Sequence, residues 1–359
     1  MALPVRQKVA LSLLLLGSSQ FHFWNELSSG SVFAPEFPRF VVILFNWSFI
    51  AIVLLAVLQL ASDLVTLLAT PWRRTFAQHG KLRPALAGLA MLFAAIGVWN
   101  ATRVPAVKDT TVEIRDLPPA FDGYRIVQLT DLHISRLFPA RWATEVVRRT
   151  NATNADLIVV TGDFIDGSVA MRRADVAPLA ALRARDGVFG IPGNHEYYFD
   201  YRNWMRHLAG LGIRLLPNSH MLITRGTAHL VLAGVTDLSA PEHGLPGPDL
   251  DAALKDAPIG SPVILLDHQP KFAAKAAAKG IALQLSGHTH GGMIVGLDRI
   301  IARSNAGYVS GRYRVGAMDL YVSNGTALWP GFAVRLGKPP EITCITLRSM
   351  QATSTGDNR

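Results

Sequence analysis

The 359-residue sequence predicts an α/β fold preceded by about three transmembrane helices. Three observations carry this. Apolar stretches crowd the first hundred residues, short β-type runs alternate with helical patterns beyond residue 110, and most of those runs end in clusters of Asp, Asn and His.

The apolar stretches are 9–24 (VALSLLLLGSSQFHFW), 40–69 and 84–101. A bilayer span takes about 20 apolar residues. The second stretch exceeds this with one charge, Asp63, and is expected to cross while tilted or extending past the lipid. The third, framed by Arg83 and Arg103, is just long enough, and its small residues suit close helix contacts in lipid. The first is shorter, and Arg6 and Lys8 ahead of an apolar run also fit a signal peptide. No small-x-small cleavage site leads into polar sequence, so a retained helix is expected. Loop 70–83 carries Arg73, Arg74, Lys81 and Arg83, whereas loop 25–39 carries Arg39 against Glu26 and Glu36. Basic loops stay cytoplasmic, which puts the first loop and everything after residue 103 outside. The expected organisation is a membrane region, 1–103, a linker, 104–120, stiffened by Pro118-Pro119, and a soluble domain, 121–359.

Residues 1–110 hold a net charge of +5 and the remainder only +4. So thin a spread argues against a nucleic-acid partner, which calls for a concentrated basic stripe. The excess suits topology and attraction to anionic membrane lipid. The single cysteine, Cys344, excludes an internal disulfide, and its Ile and Thr neighbours mark it as a buried strand residue.

Six runs read as strands: RIVQL (125–129), DLIVV (156–160), GVFGI (187–191), HLVLAGV (229–235), PVILL (262–266) and IALQL (281–285). Helical patterns lie between several of them. Residues 140–152 place Trp142, Val146 and Val147 on one face, 174–185 contain Leu179 and Leu182, and 271–279 are rich in Ala and Lys. From Gly307 to Leu347 the pattern is that of β-hairpins.

Five of the six runs end in polar clusters: Asp131-Leu132-His133, Gly162-Asp163, Gly193-Asn194-His195-Glu196, His268, and Gly287-His288-Thr289-His290. Taken singly each has an ordinary structural explanation, such as a strand-end turn or a hydrogen-bonded histidine. Taken together they supply oxygen and nitrogen donors at the carboxyl ends of successive strands, where α/β sheets place their functional crevice. Residues i and i+2 of extended chain face the same way, so His288 and His290 can reach one point.

The series D-x-H, G-D, G-N-H-E, H, G-H-x-H over about 121–347 resembles the calcineurin-like metallophosphoesterase family. SGHTHGG, YVSG, LYVSNG and PPEITCITL resemble its membrane-anchored bacterial branch. The resemblance implies a four-layer α/β/β/α sandwich. It implies one metal held by Asp131, His133, Asp163 and His290, a second by Asp163, Asn194, His268 and His288, and Asp163 shared. Two carboxylates facing two divalent ions leave about two positive charges to bind phosphate and acidify water. The mixed N/O donors fit manganese, iron or zinc. His195 is expected to donate to a phosphate oxygen or protonate the leaving alkoxide. One of Asp166 and Glu196 is expected to orient ligands, with solvated loop the competing reading, and neither need touch metal. Two departures from the family pattern, Asp267 and Met293, bear on substrate fit.

Competing chemistry lacks its residues. His195-Glu196-Tyr197-Tyr198-Phe199 starts like H-E-x-x-H, but Phe199 stands where the second histidine belongs, and no phosphate loop, dinucleotide fingerprint or nucleophile elbow occurs. The expectation is a metal-dependent phosphohydrolase of the inner membrane facing the periplasm. It would act on a phosphorylated small molecule or lipid held near the bilayer, with loops 197–225 and 236–258 as substrate walls. Trp204, Tyr197 and Tyr198 are candidates to line them, with core packing the competing reading. The alternative is a transport or sensory protein with a non-catalytic metal domain. Asp63 is the lone charge inside the spans, and ion paths usually show more.

Overall fold

The computed structural model describes residues 4–68 and 79–350. Arg73 and Arg74 of the basic loop, and the Lys81 side chain, lie outside the described residues.

The stretch expected as one helix over 9–24 forms two, α1 (Val5–Ser19) and α2 (Phe21–Ser29). Side chains compete for carbonyls at the break, with Ser19 Oγ donating to Leu16 O and Trp24 Nε1 to Gly17 O. Then follow α3 (Arg39–Leu68) and α4 (His79–Thr102). Among the described residues, two helices rather than the expected three are long and apolar enough to cross a membrane, Arg39–Leu68 and Leu82–Thr102.

One six-stranded sheet comprises β1 (Val107–Ile114), β2 (Arg125–Leu129), β3 (Leu157–Thr161), β4 (Val188–Ile191), β5 (Arg214–Leu215) and β12 (Ile342–Ser349), ordered β1-β12-β2-β3-β4-β5. The other comprises β6 (Ser219–Arg225), β7 (Ala228–Gly234), β8 (Val263–Leu266), β9 (Leu283–Ser286), β10 (Gly311–Val315) and β11 (Met318–Val322), ordered β10-β11-β9-β8-β7-β6. All six expected strands are present within two residues of their expected bounds.

Side-chain alternation assigns the layers. Ile126, Leu157 and Val159 of the first sheet meet Leu230, Leu232, Ile264 and Leu283 of the second in a central apolar layer. Their neighbours Val127, Ile158 and Val160 point the other way, to α5 (Ala140–Asn151), α6 (Val169–Val176) and, beyond the short α7 (Asn194–Tyr198), α8 (Tyr201–Gly210). Beneath the second sheet, Ala233, Leu265 and Leu320 pack with Ala253 of α9 (Leu250–Leu254) and Ala273 and Ala276 of α10 (Ala273–Ala278). The result is the four-layer α/β/β/α sandwich. Each Val, Leu or Ile fully buried in these layers contributes about 1.5–3 kcal/mol.

Three segments depart from expectation. Residues 107–114, expected in the linker, form β1, paired parallel with β12. As an edge strand it buries only Val112 and Ile114, so VKDTTVEI shows no continuous apolar run. The tail makes one hairpin, β10–β11, after which β12 crosses to the first sheet and runs antiparallel to β2. The helix expected over 174–185 begins earlier, at Val169, and gives way to a 3₁₀ turn, Ala177–Ala181, where Pro178 lacks the N–H an α-helix needs.

The two long apolar helices dock on the sandwich. Asn46 of α3 is buried, donating to Pro330 O (2.8 Å) and accepting from Ala333 N (2.7 Å), while Arg335 N donates to Gly97 O of α4 (2.9 Å). Cys344 is buried on β12, as expected.

Candidate metal centre

All seven expected donors come from loops that leave β2, β3, β4, β8 and β9 at one rim. The loops after β2 and β3 run together, Asp131 N donating to Gly162 O and His133 N to Asp163 O (both 3.0 Å). Asp131, His133, Asp163, His288 and His290 all have positive φ, between 41° and 68°. Five non-glycine residues in the left-handed region at one rim store strain that the surrounding structure must hold. Gly162 (φ 91°) admits the next loop, since a Cβ there would lie 2.6 Å from Gly193 N and 2.7 Å from His268 Nδ1.

The donors form two groups around Asp163. In one, His133 Nε2 lies 3.7 Å from Asp163 Oδ2 and 4.0 Å from Asp131 Oδ1, and His290 Nε2 lies 3.7 Å from Asp131 Oδ1. In the other, His268 Nε2 lies 3.3 Å from Asp163 Oδ2 and 3.1 Å from Asn194 Oδ1, which is 3.0 Å from His288 Nδ1. Bonds of about 2.0–2.2 Å to a common cation put neighbouring donors about 3–3.6 Å apart, so both groups approach the size of a coordination shell. His133 is fully buried, and its Nε2, the nitrogen that faces Asp131 and Asp163, has no hydrogen-bond partner. A buried lone pair without a partner is costly unless something accepts it. The donor set therefore fits divalent cations such as manganese, iron or zinc.

The residues behind the donors fix their aim. His133 Nδ1 donates to Asp166 Oδ2 (3.2 Å) and His268 Nδ1 to Thr161 O (2.7 Å), which turns each Nε2 toward Asp163. His288 N and Thr130 Oγ1 donate to Asp131 (3.1 and 2.8 Å). Glu196 accepts from Gly193 N, Asp163 N and Phe164 N (2.7, 3.0 and 2.8 Å), tying the loops after β3 and β4 together. Asp166 and Glu196 are both fully buried, so neither is solvated loop.

Electrostatics sorts the histidines. Burial, then the charge of His268, pushes His288 down to about 4, and burial, then His133, holds His290 well below the usual range. Both are thus neutral donors. Burial opposes charge on His195, but Asp163 and Asp166 outweigh it and raise its pKa to about 9. His195 Nδ1 lies 2.5 Å from Asp166 Oδ1 and its backbone N donates to Asp163 Oδ1 (2.9 Å), which leaves Nε2 for a bound group.

Sequence reasoning missed four neighbours. Arg335, fully buried, donates to the carbonyls of His290, Asn324 and Ala327. Arg172, also fully buried, donates to Asp166 O (2.8 Å). Phe33 and Trp329 stand beside His195 and against each other. Trp204 packs in the core with Nε1 on Gly167 O, and Tyr197 is buried, whereas Tyr198, 41% exposed, lies against His195.

A family model described as calcineurin-like phosphoesterase matches residues 124–292. A Bos taurus "transmembrane protein with metallophosphoesterase domain" is 37% identical, over 75% of this chain and 63% of its own. An uncharacterized metallophosphoesterase of Helicobacter pylori is 28% identical over 93% of this chain and 87% of its own. One of Bacillus subtilis is 31% identical over 67% and 84%. The chain spans about three fifths of the length of the vertebrate relatives, 63% and 61%. Agreement of this extent, with the bacterial relatives matched over most of their length, establishes that the chain belongs to the calcineurin-like metallophosphoesterase family.

Proposed function

We propose that the protein is a membrane-anchored phosphohydrolase that uses two divalent metal ions to cleave a phosphoester or pyrophosphate bond, with a lipid-linked compound as substrate. One observation carries the reading: six donors from four loops gather with Asp163 of a fifth, and His133 Nε2, which faces Asp131 and Asp163, is left unpaired in a buried setting. Asp131, His133, Asp163 and His290 would hold one ion, and Asp163, Asn194, His268 and His288 the other. The ion pair would supply Lewis acidity toward phosphate oxygens and acidify water near neutral pH.

The protein groups do the rest. Asp166 keeps His133 and His195 in fixed orientation, and Glu196 holds the Asp163 loop against the Asn194 loop. His195, anchored through Nδ1, presents Nε2 to the phosphate and gives a proton to the leaving oxygen. Two long apolar helices and relatives named transmembrane proteins support anchoring. The basic residues of loop 70–83 support placing the catalytic domain, taken to begin with β1, on the outer, periplasmic face of a bacterial inner membrane. A site tethered there meets lipid head groups at high effective concentration.

The test uses the full chain in lipid nanodiscs, stripped of metal and reloaded singly with manganese, iron or zinc. Aryl phosphate mono- and diesters are offered beside a lipid pyrophosphate. Turnover is expected to return with at least one metal and to stay absent in Asp163→Ala. Undiminished turnover in that variant contradicts the reading. A reporter fused after the last residue is expected to be active only on the outer face.

A further inference from the structure

The loop between α2 and α3 reaches the rim of the site. Phe33 stacks on Tyr198 (ring centroids 5.3 Å apart, planes at 19°) and meets the edges of His195 (5.2 Å) and Trp329 (5.5 Å). Trp329 in turn contacts His22 of α2 (6.0 Å), and His22 contacts Phe49 of α3 (5.1 Å). Ring contacts therefore run unbroken from His195 into the membrane helices. Phe33 and Trp329 are half-buried and Tyr198 is 41% exposed, so all three rings keep some surface open to solvent next to the proposed proton donor.

The loop is pinned in place. Glu36 pairs with Arg172 and with Arg136 (2.8 Å), and Arg39 Nε donates to Leu137 O (2.9 Å). Arg172 also holds the carbonyl of Asp166, the residue that orients His195. One arginine thus fixes both the loop and the catalytic imidazole, so Phe33 sits at a set distance from the reacting phosphate.

We infer that Phe33 is a specificity-determining residue, forming with Tyr198 and Trp329 an aromatic wall that receives an apolar group attached to the phosphate. This rests on the phosphohydrolase reading and adds to it which side of the phosphate the apolar group occupies. Partly exposed aromatic rings beside a charged centre favour a hydrocarbon substituent over a short polar one, because each apolar area removed from water adds to binding.

The experiment uses full-length, manganese-loaded protein in nanodiscs. Calorimetry compares hexylphosphonate with methylphosphonate, and hydrolysis compares the corresponding phosphates. Wild type is expected to favour the hexyl compounds roughly tenfold or more. Phe33→Ala is expected to bring that ratio near one, and Phe33→Tyr to keep it, with both variants retaining wild-type metal content. An unchanged ratio in Phe33→Ala, or a wild type without hexyl preference in binding, overturns the wall. If wild type prefers hexylphosphonate in binding yet hydrolyses neither phosphate, the wall stands and the phosphohydrolase reading fails.

Discussion

The two sheets bring unlike chemistry to one rim. The first supplies both carboxylates, Asp131 and Asp163, together with His133 and Asn194, and backs them with buried side chains, Asp166 and Glu196. The second supplies only imidazoles, His268, His288 and His290, held largely through main-chain carbonyls by way of Thr161 and Arg335. Negative charge comes from one sheet and most of the imidazole nitrogen from the other, so neither offers a complete cation site alone. Cations held there would pin the sheets together. At the opposite rim the same sheets are joined differently, by Arg225 of β6 to Asp186 (2.7 Å) and Asp156 (3.5 Å). The difference teaches that one rim would be stabilised by bound cations, whereas the other is held by ordinary ion pairing.

The sharpest way to break this comparison is His268→Ala against Asp131→Ala, one donor removed from each sheet. Both are expected to take phosphoesterase turnover to background while leaving the far-UV circular dichroism unchanged. Activity surviving either loss would mean one sheet suffices. Next in size is chelation. Ligands at 100 times their Kd stabilise by about 2.7 kcal/mol each, and a domain of this size moves about 2–4 °C per kcal/mol. Stripping both metals is therefore expected to lower Tm by roughly 10 °C or more in a thermal melt, and about half of that drop should vanish in the His268→Ala background.

Asp166→Asn tests the side-chain backing peculiar to the first sheet. Removing such a partner costs about 10- to 100-fold in metal affinity or activity, read here as kcat together with metal titration. The smallest effect belongs to the far rim: Arg225→Gln is expected to cost about 1 kcal/mol in denaturant unfolding with kcat and metal content unchanged. A loss of metal in that variant would mean the two rims are not independent.

The donors were legible because each ends a β-type run, and such ends share a rim whenever strands run parallel. Their neighbours were not. Arg335 and Arg172 act on carbonyls, and no side-chain pattern marks a carbonyl that needs a donor. Phe33 lies 162 positions before His195 in sequence, and only the docking of the N-terminal helices brings the rings together. β1 escaped because an edge strand needs few apolar residues, and the α1–α2 break because its cause is side-chain competition for carbonyls. Asp166 and Glu196 were recognised as motif residues, but their partners are backbone N–H groups and ring nitrogens set by loop geometry.

The central claim is that one aspartate serves two cations, and metal stoichiometry tests it directly. Mass spectrometry of the elements in full-length protein reloaded with manganese is expected to find two ions per wild-type chain and none in Asp163→Ala. Retention of both ions by that variant, or a single ion in the wild type at saturation, would contradict the account.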